Sequence, residues 1–254
     1  MVDWTLLISI VAGVFLVIGV GGVLRRLEWL THEADESMLN VLVRVLVPCL
    51  IFDAVAGNER LLDAANVVLP PVVGFVTVGL GFGAALLAAT VLRRWMRLDR
   101  RAAVGTFVLA TGLYNYGYVP IPLVSELFDE QTLGVLFVHN LGIEVAMWTI
   151  GVLLVAGQLD RDWWKRVING PTVAIAVSLA MNFTGLHGYV PGFAEQAIHL
   201  LAMAAIPLGV LLVGATMADH LQDGLIRDGG RVIAVGLVLR LALLPVVFLL
   251  IARY

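Results

Sequence analysis

Charge is scarce in this sequence. Only 14% of its 254 residues are Asp, Glu, Lys or Arg, against 60% hydrophobic, and the mean hydropathy is +0.96. A soluble domain needs about a quarter of its residues charged to cover a water-facing surface, so lipid is the solvent this composition implies. The net charge of −3 is small, and the basic residues lie in short loops, which argues against nucleic acid as a partner. A single cysteine, Cys49, excludes an intramolecular disulfide framework and says nothing about compartment. No His/Cys/Asp/Glu cluster has metal-site spacing. Ser/His/Asp constellations, His-Glu-x-x-His and P-loops are also missing, so the sequence implies no enzyme and no cofactor. Residues 1–24 do not read as a cleaved signal peptide, because Asp3 stands where a basic region belongs and the apolar run is long enough to span.

What the chain has is length in its apolar runs. A helix rising 1.5 Å per residue needs about 20 apolar residues to cross the hydrocarbon core. Eight such runs occur, at 4–24, 37–56, 68–92, 103–125, 132–156, 170–186, 194–217 and 232–253. They predict an all-α membrane protein, a polytopic helical bundle of about eight transmembrane helices. The sixth run is short and interrupted late by Gly185 and Gly188. Before it, Gln158-Leu-Asp-Arg-Asp-Trp-Trp-Lys-Arg166 reads as a short interfacial helix with tryptophans at headgroup level. Lys and Arg divide 12 to 2 between alternate loops. The basic set includes Arg25, Arg26, Arg93, Arg94, Arg161, Lys165, Arg227 and Arg231; the other side has Arg60 and Arg253. The positive-inside rule puts the basic loops in the cytoplasm and both termini outside.

Two runs echo each other. Val47-Pro48-Cys49 through Gly57 and Ile206-Pro207-Leu208 through Ala215 each set one proline in an apolar helix and follow it with small residues. If they correspond, the repeat unit is five spans, and an odd unit inverts the second copy; chance is the alternative. On the repeat reading, residues 1–157 are a first five-helix repeat, 158–169 a cytoplasmic linker, and 170–254 a second repeat of three helices only.

The fourth run is interrupted by Tyr114-Asn115-Tyr116-Gly117-Tyr118-Val119-Pro120-Ile121-Pro122. Pro120 and Pro122 carry no N–H, so the carbonyls of Tyr116 and Tyr118 lose their helical donors, and each ring clashes with the preceding turn. Gly117 makes irregular backbone cheap. Such backbone survives at membrane depth only where it lines a protein cavity or finds polar partners. It then offers peptide groups and half-helix dipole ends to a small polar substrate. A structural proline kink with interfacial tyrosines is the other reading.

Here the sequence resembles the auxin efflux carrier family of bacterial and plant permeases, whose crossover helix carries an Asn-Thr-Gly-Phe-x-Gly-x-Pro type run. Asn115, Gly117 and Pro122 match, Tyr118 keeps an aromatic, and Pro120 stands where glycine is usual. Leu24-Arg25-Arg26, the Pro48 helix, His139-Asn140-Leu141 through Gly151, Asn169-Gly170-Pro171, Ile206-Pro207-Leu208, and Leu239-Arg240-Leu241 with Pro245 resemble further family segments in order, with Gly170 departing from a usual proline. The resemblance implies a ten-helix, bile-acid-symporter-like architecture with both termini outside, of which this chain lacks the last two helices. It implies a scaffold of helices one, two, six and seven and a transport part of three to five and eight to ten. Small organic anions, auxin-like or dicarboxylate, would bind where two broken helices cross and move by elevator-like alternating access. The expected setting is a plasma or inner membrane, with a homodimer through the scaffold helices compatible. A truncated, non-transporting protein needing a partner chain is the alternative.

Polar residues at membrane depth are costly and mark function. Asn140 and Glu144, four apart, share a helix face, while His139 points about 100° away. The expected substrate site is Asn115, Gly117, Tyr118, Pro120, Pro122 and Asn140, with Glu144, Arg240 and His139 in coupling or gating. Asn140 could instead bond between helices, and Glu144 could partner a buried arginine. Arg240 could pair with Glu144 or attract the anion. Arg44 is expected to snorkel and Asp53 to be solvated. His187 and His199 are expected to be packing residues, and Asn182-Phe-Thr184 is discounted as a glycosylation site.

Overall fold

A computed structural model describes residues 4–158, 161–222 and 229–253. Asp3, Arg227, Tyr254 and residues 159–160 of the expected interfacial helix lie outside the described residues. In chain order the main helices are α1 (Trp4–Arg26), α2 (His32–Val55), α3 (Ala64–Val91), α4 (Arg101–Gly112), α5 (Pro120–Leu127), α6 (Glu130–Ala156), α7 (Gly170–Thr184), α8 (Gly192–Gln222) and α9 (Gly230–Ile251). No strand occurs among the described residues. Among the described residues six helices, α1, α2, α3, α6, α8 and α9, are long and apolar enough to cross a membrane. The other two expected spans take different forms: the fourth is the interrupted pair α4–α5, and the sixth is the 15-residue α7. This is an all-α membrane protein.

Helix ends follow local chemistry. The side chain of Asn169 accepts the Thr172 N–H at 3.0 Å and caps α7, Pro171 occupies its first turn, and Gly185 ends it at φ 71°. Gly170 stands where the resembled family has proline, and a Cβ there would lie 3.2 Å from the Val43 carbonyl oxygen. α2 starts at His32, earlier than the apolar run, because Glu33 and Asp35 in its first turn favour the helix N-terminus. A short helix at Trp163–Val167 follows α6, with Lys165 paired to Asp162 at 2.9 Å.

Three long helices contain a π-turn: Leu42–Leu46 in α2, Met147–Gly151 in α6 and Leu239–Leu243 in α9. In α2 the Val47 N–H reaches back to Leu42, and in α9 the Leu244 N–H reaches back to Leu239. In these two helices the wide turn ends just before a proline, Pro48 or Pro245, whose missing N–H would otherwise break the ladder there.

The chain forms two compact units. The first comprises Met1–Val68, Asn115–Val138 and Ile168–Gly224. It holds α1, α2, α7 and α8, the four helices that the family resemblance assigns to a scaffold, together with α5 and the start of α6. α1 and α8 meet backbone to backbone: Gly21 abuts the Leu211 carbonyl, and Gly214 abuts the Ile18 carbonyl. Small residues permit the close approach on which helix association in lipid depends. Leu42, Ile51, Val55 and Leu61 fill the core. Asp129, between α5 and α6, pairs with Arg60 of the turn between α2 and α3, and its carboxyl is held below its usual range chiefly by hydrogen bonds from Thr132, with Arg60 adding to the effect.

The second unit comprises Leu69–Tyr114, His139–Val167 and Leu225–Tyr254. Glycines again set its spacing. Gly81 meets Gly112, Gly105 meets Leu154, Gly74 meets His139, and Gly142 meets Pro71, all through backbone carbonyls. Val78, Phe82, Val108 and Ile143 are its buried centre.

Candidate functional site

α4 stops at Gly112, Leu113 turns extended at ψ 115°, and helix resumes only at Pro120. Residues 113–119 therefore run outside regular helix. The Asn115 side chain accepts the Gly117 N–H at 3.1 Å, closing an Asx turn within the break. Ile121 donates to the Gly117 carbonyl at 2.9 Å and Leu123 to Val119 at 3.3 Å, which starts α5. Neither Pro120 nor Pro122 can donate, so the Tyr116 and Tyr118 carbonyls are denied helical partners.

Five of the expected site residues, Asn115, Gly117, Tyr118, Pro120 and Pro122, fall in the first unit. Asn115 is exposed and Ile121 buried, so the turn shows its polar side. The Tyr118 ring lies against Gly209, where a Cβ would come 3.1 Å from Cζ. Gly209 sits two residues past Pro207 of α8, so the Ile206-Pro207-Leu208 segment supplies the seat for the aromatic residue of the break.

Asn140, His139, Glu144 and Arg240 fall in the second unit. Asn140 is 8% exposed. The Trp148 indole N–H donates to Glu144 at 2.9 Å, which orients that carboxylate along α6. The Tyr114 hydroxyl lies 2.9 Å from that of Thr77, and its ring meets Phe248 edge-on.

Arg240 has a role the sequence does not suggest. Its Nη1 donates to the Ala110 carbonyl at 2.8 Å. Ala110 belongs to the last turn of α4, whose carbonyls have no helical donors once the helix breaks. A cation at this negative dipole end caps the half-helix. Arg240→Met is expected to lower the unfolding free energy by about 1.5 kcal/mol by removing a charge-assisted hydrogen bond. Arg240→Lys should restore part of it, measured by thermal unfolding in detergent.

Other partnerships are invisible in the sequence. His199 Nδ1 lies 3.0 Å from Asp53, so Asp53 is paired rather than simply solvated. The Asn182 side chain donates to the Val55 and Asn58 carbonyls at 2.9 and 3.1 Å and accepts the Gly57 N–H at 2.6 Å. Buried Arg25 binds Leu30, Asp35 and Asp219. Spacing along the chain gives no metal cluster, yet the fold brings ligand atoms of His32, Asp35 and Asp219 within 4.8 Å of one another. The Arg25 guanidinium already pairs with both carboxylates and offsets one of their two charges, which weakens any claim on a cation.

Residues 6–162 match the family model described as membrane transport protein. An uncharacterized transporter of Methanothermobacter thermautotrophicus is 25% identical over 82% of this chain and 67% of its own length. Protein ECM3 of Saccharomyces cerevisiae is 30% identical over 57% of the chain and 23% of its own length. Uncharacterized transporter MJ1031 of Methanocaldococcus jannaschii is 21% identical over 74% and 62%. The chain thus spans from about a quarter to two thirds of the length of these relatives. With the family model covering more than half of its residues, the chain belongs to the membrane transport protein family, that of the auxin efflux carriers.

Proposed function

We propose that this protein is a secondary transporter that moves a small organic anion, auxin-like or dicarboxylate, by elevator-like alternating access, with the anion engaging the break after α4. The observation that supports this reading is the non-helical run 113–119 at the start of α5. A helix N-terminus favours negative charge. The Asn115 amide and Tyr118 hydroxyl add donors beside it, and Gly117 keeps the backbone open. Pro120 and Pro122 hold the segment out of helical geometry. Asn140 is the donor proposed in the second unit, where Glu144, oriented by Trp148, serves coupling or gating with His139 nearby. Arg240 serves the same process by fixing the end of α4. The basic loops face the cytoplasm of a plasma or inner membrane on this reading.

The test is flux of a radiolabelled organic anion into proteoliposomes. Asn115→Ala is expected to reduce initial flux about tenfold, equivalent to ~1.4 kcal/mol of substrate interaction, with reconstitution efficiency unchanged. Flux identical to that of the unsubstituted protein removes the assignment of Asn115.

A further inference from the structure

We propose that the cleft formed by the end of α2, the Leu186–Tyr189 turn and the start of α8 binds a small organic ammonium ion. All three segments belong to the first unit, and none contains a residue of the break. The cleft has a volume of about 580 Å³, within the range that holds a small molecule. Asp53, Glu195, Gln196, His187 and His199 line it together with Phe52, and no lysine or arginine does.

The lining selects for charge first. Two carboxylates without a lysine or arginine attract a cation and repel an anion. His199 pins the Asp53 carboxylate at 3.0 Å, so one acceptor is held in place before a ligand arrives. His187 rests on Gly57, whose φ of +76° and bare Cα leave room for the ring. A primary ammonium has three donors to place, and Asp53, Glu195 and an imidazole nitrogen or the Gln196 carbonyl can accept them. The remaining wall is apolar: Phe52, Ala56, Val190 and Ile198. It suits the carbon body of an amine, and Phe52 can add a cation–π contact. A hydrated metal ion makes no use of that wall. Among the described residues, His/Cys/Asp/Glu ligand atoms cluster at metal-binding distances only around His32, away from this cleft.

The experiment is titration calorimetry of the full chain in detergent micelles with n-butylammonium, butyrate and zinc chloride in separate runs. Saturable binding of n-butylammonium at one site is expected, with neither butyrate nor zinc binding as tightly. Glu195→Gln and Asp53→Asn should each weaken it at least tenfold. Glu195→Gln leaves the His199–Asp53 pair intact, so it tests the cleft even if Asp53→Asn disturbs folding, which circular dichroism reports. Absence of n-butylammonium binding, butyrate or zinc binding as tightly, or an unchanged affinity in folded Glu195→Gln protein overturns the proposal.

Discussion

Gly214→Leu is expected to abolish recovery of folded, monodisperse protein, and Gly21→Leu to do the same. At both positions the neighbour is a carbonyl of the opposing helix, Ile18 for Gly214 and Leu211 for Gly21. Crowding in an ordinary core costs about 1–3 kcal/mol because side chains can change rotamer. A backbone carbonyl has no rotamer to change, so α1 and α8 must separate along their length. In lipid no hydrophobic force between helices offsets the lost van der Waals contact. Position, rather than glycine content, decides the outcome. Gly13 and Gly19 lie on the same helix, and a Cβ added at either would meet nothing within 4 Å. Gly13→Leu and Gly19→Leu should therefore behave like the unsubstituted protein in size-exclusion chromatography. Equal behaviour of all four variants would mean that the α1–α8 contact does not hold the first unit together.

Asn182→Leu is expected to destabilise the first unit by about 3 kcal/mol or more. Asn182 is 4% exposed, and its amide serves three backbone groups where α2 ends: the carbonyls of Val55 and Asn58 and the N–H of Gly57. Leucine fills much of the same volume but leaves all three unserved, at about 1–3 kcal/mol for each buried orphan. Water entering the gap would lower that total. Asn182→Asp should be no milder, since it keeps the acceptor for Gly57 but sets a buried carboxylate oxygen against the Val55 and Asn58 carbonyls. Thr184→Ala, which removes only bonds to carbonyls of its own helix, should be nearly silent. The measurement is the thermal midpoint in detergent; a shift for Asn182→Leu no larger than for Thr184→Ala would show that these bonds add nothing.

The parts of this molecule that depend on runs and breakers are legible in the sequence. Apolar length locates the long helices, and the two prolines beside Gly117 mark a segment that a regular helix cannot accommodate. The apolar run places the start of α2 too late because its first turns are polar; Glu33 and Asp35 suit the helix N-terminus, and Arg25 of α1 pairs with Asp35 there. Partnerships across long stretches of chain are out of reach. Asp53 and His199 are 146 residues apart, and no periodicity links them. Asn182 reads only as part of a glycosylation pattern, because an asparagine carries no mark of the backbone groups it will serve. For Arg240 the sequence offers charged partners, whereas its observed partner is a peptide carbonyl released by the break in α4. Which of the 26 glycines are pressed against a neighbouring helix is likewise a property of the packed state.

Each π-turn also has a geometric effect on the helix beyond it. One residue too many in a turn swings everything downstream by about 100° around the axis. In α9 this means that the residues after Leu243 do not share the angular frame of Gly230–Val238. A wheel drawn with a single period along that rod puts half its side chains on the wrong side. Deleting one residue from the wide turn would re-aim the whole far end while altering no other side chain, so the direction of view along these helices depends on a dislocation one amino acid in size.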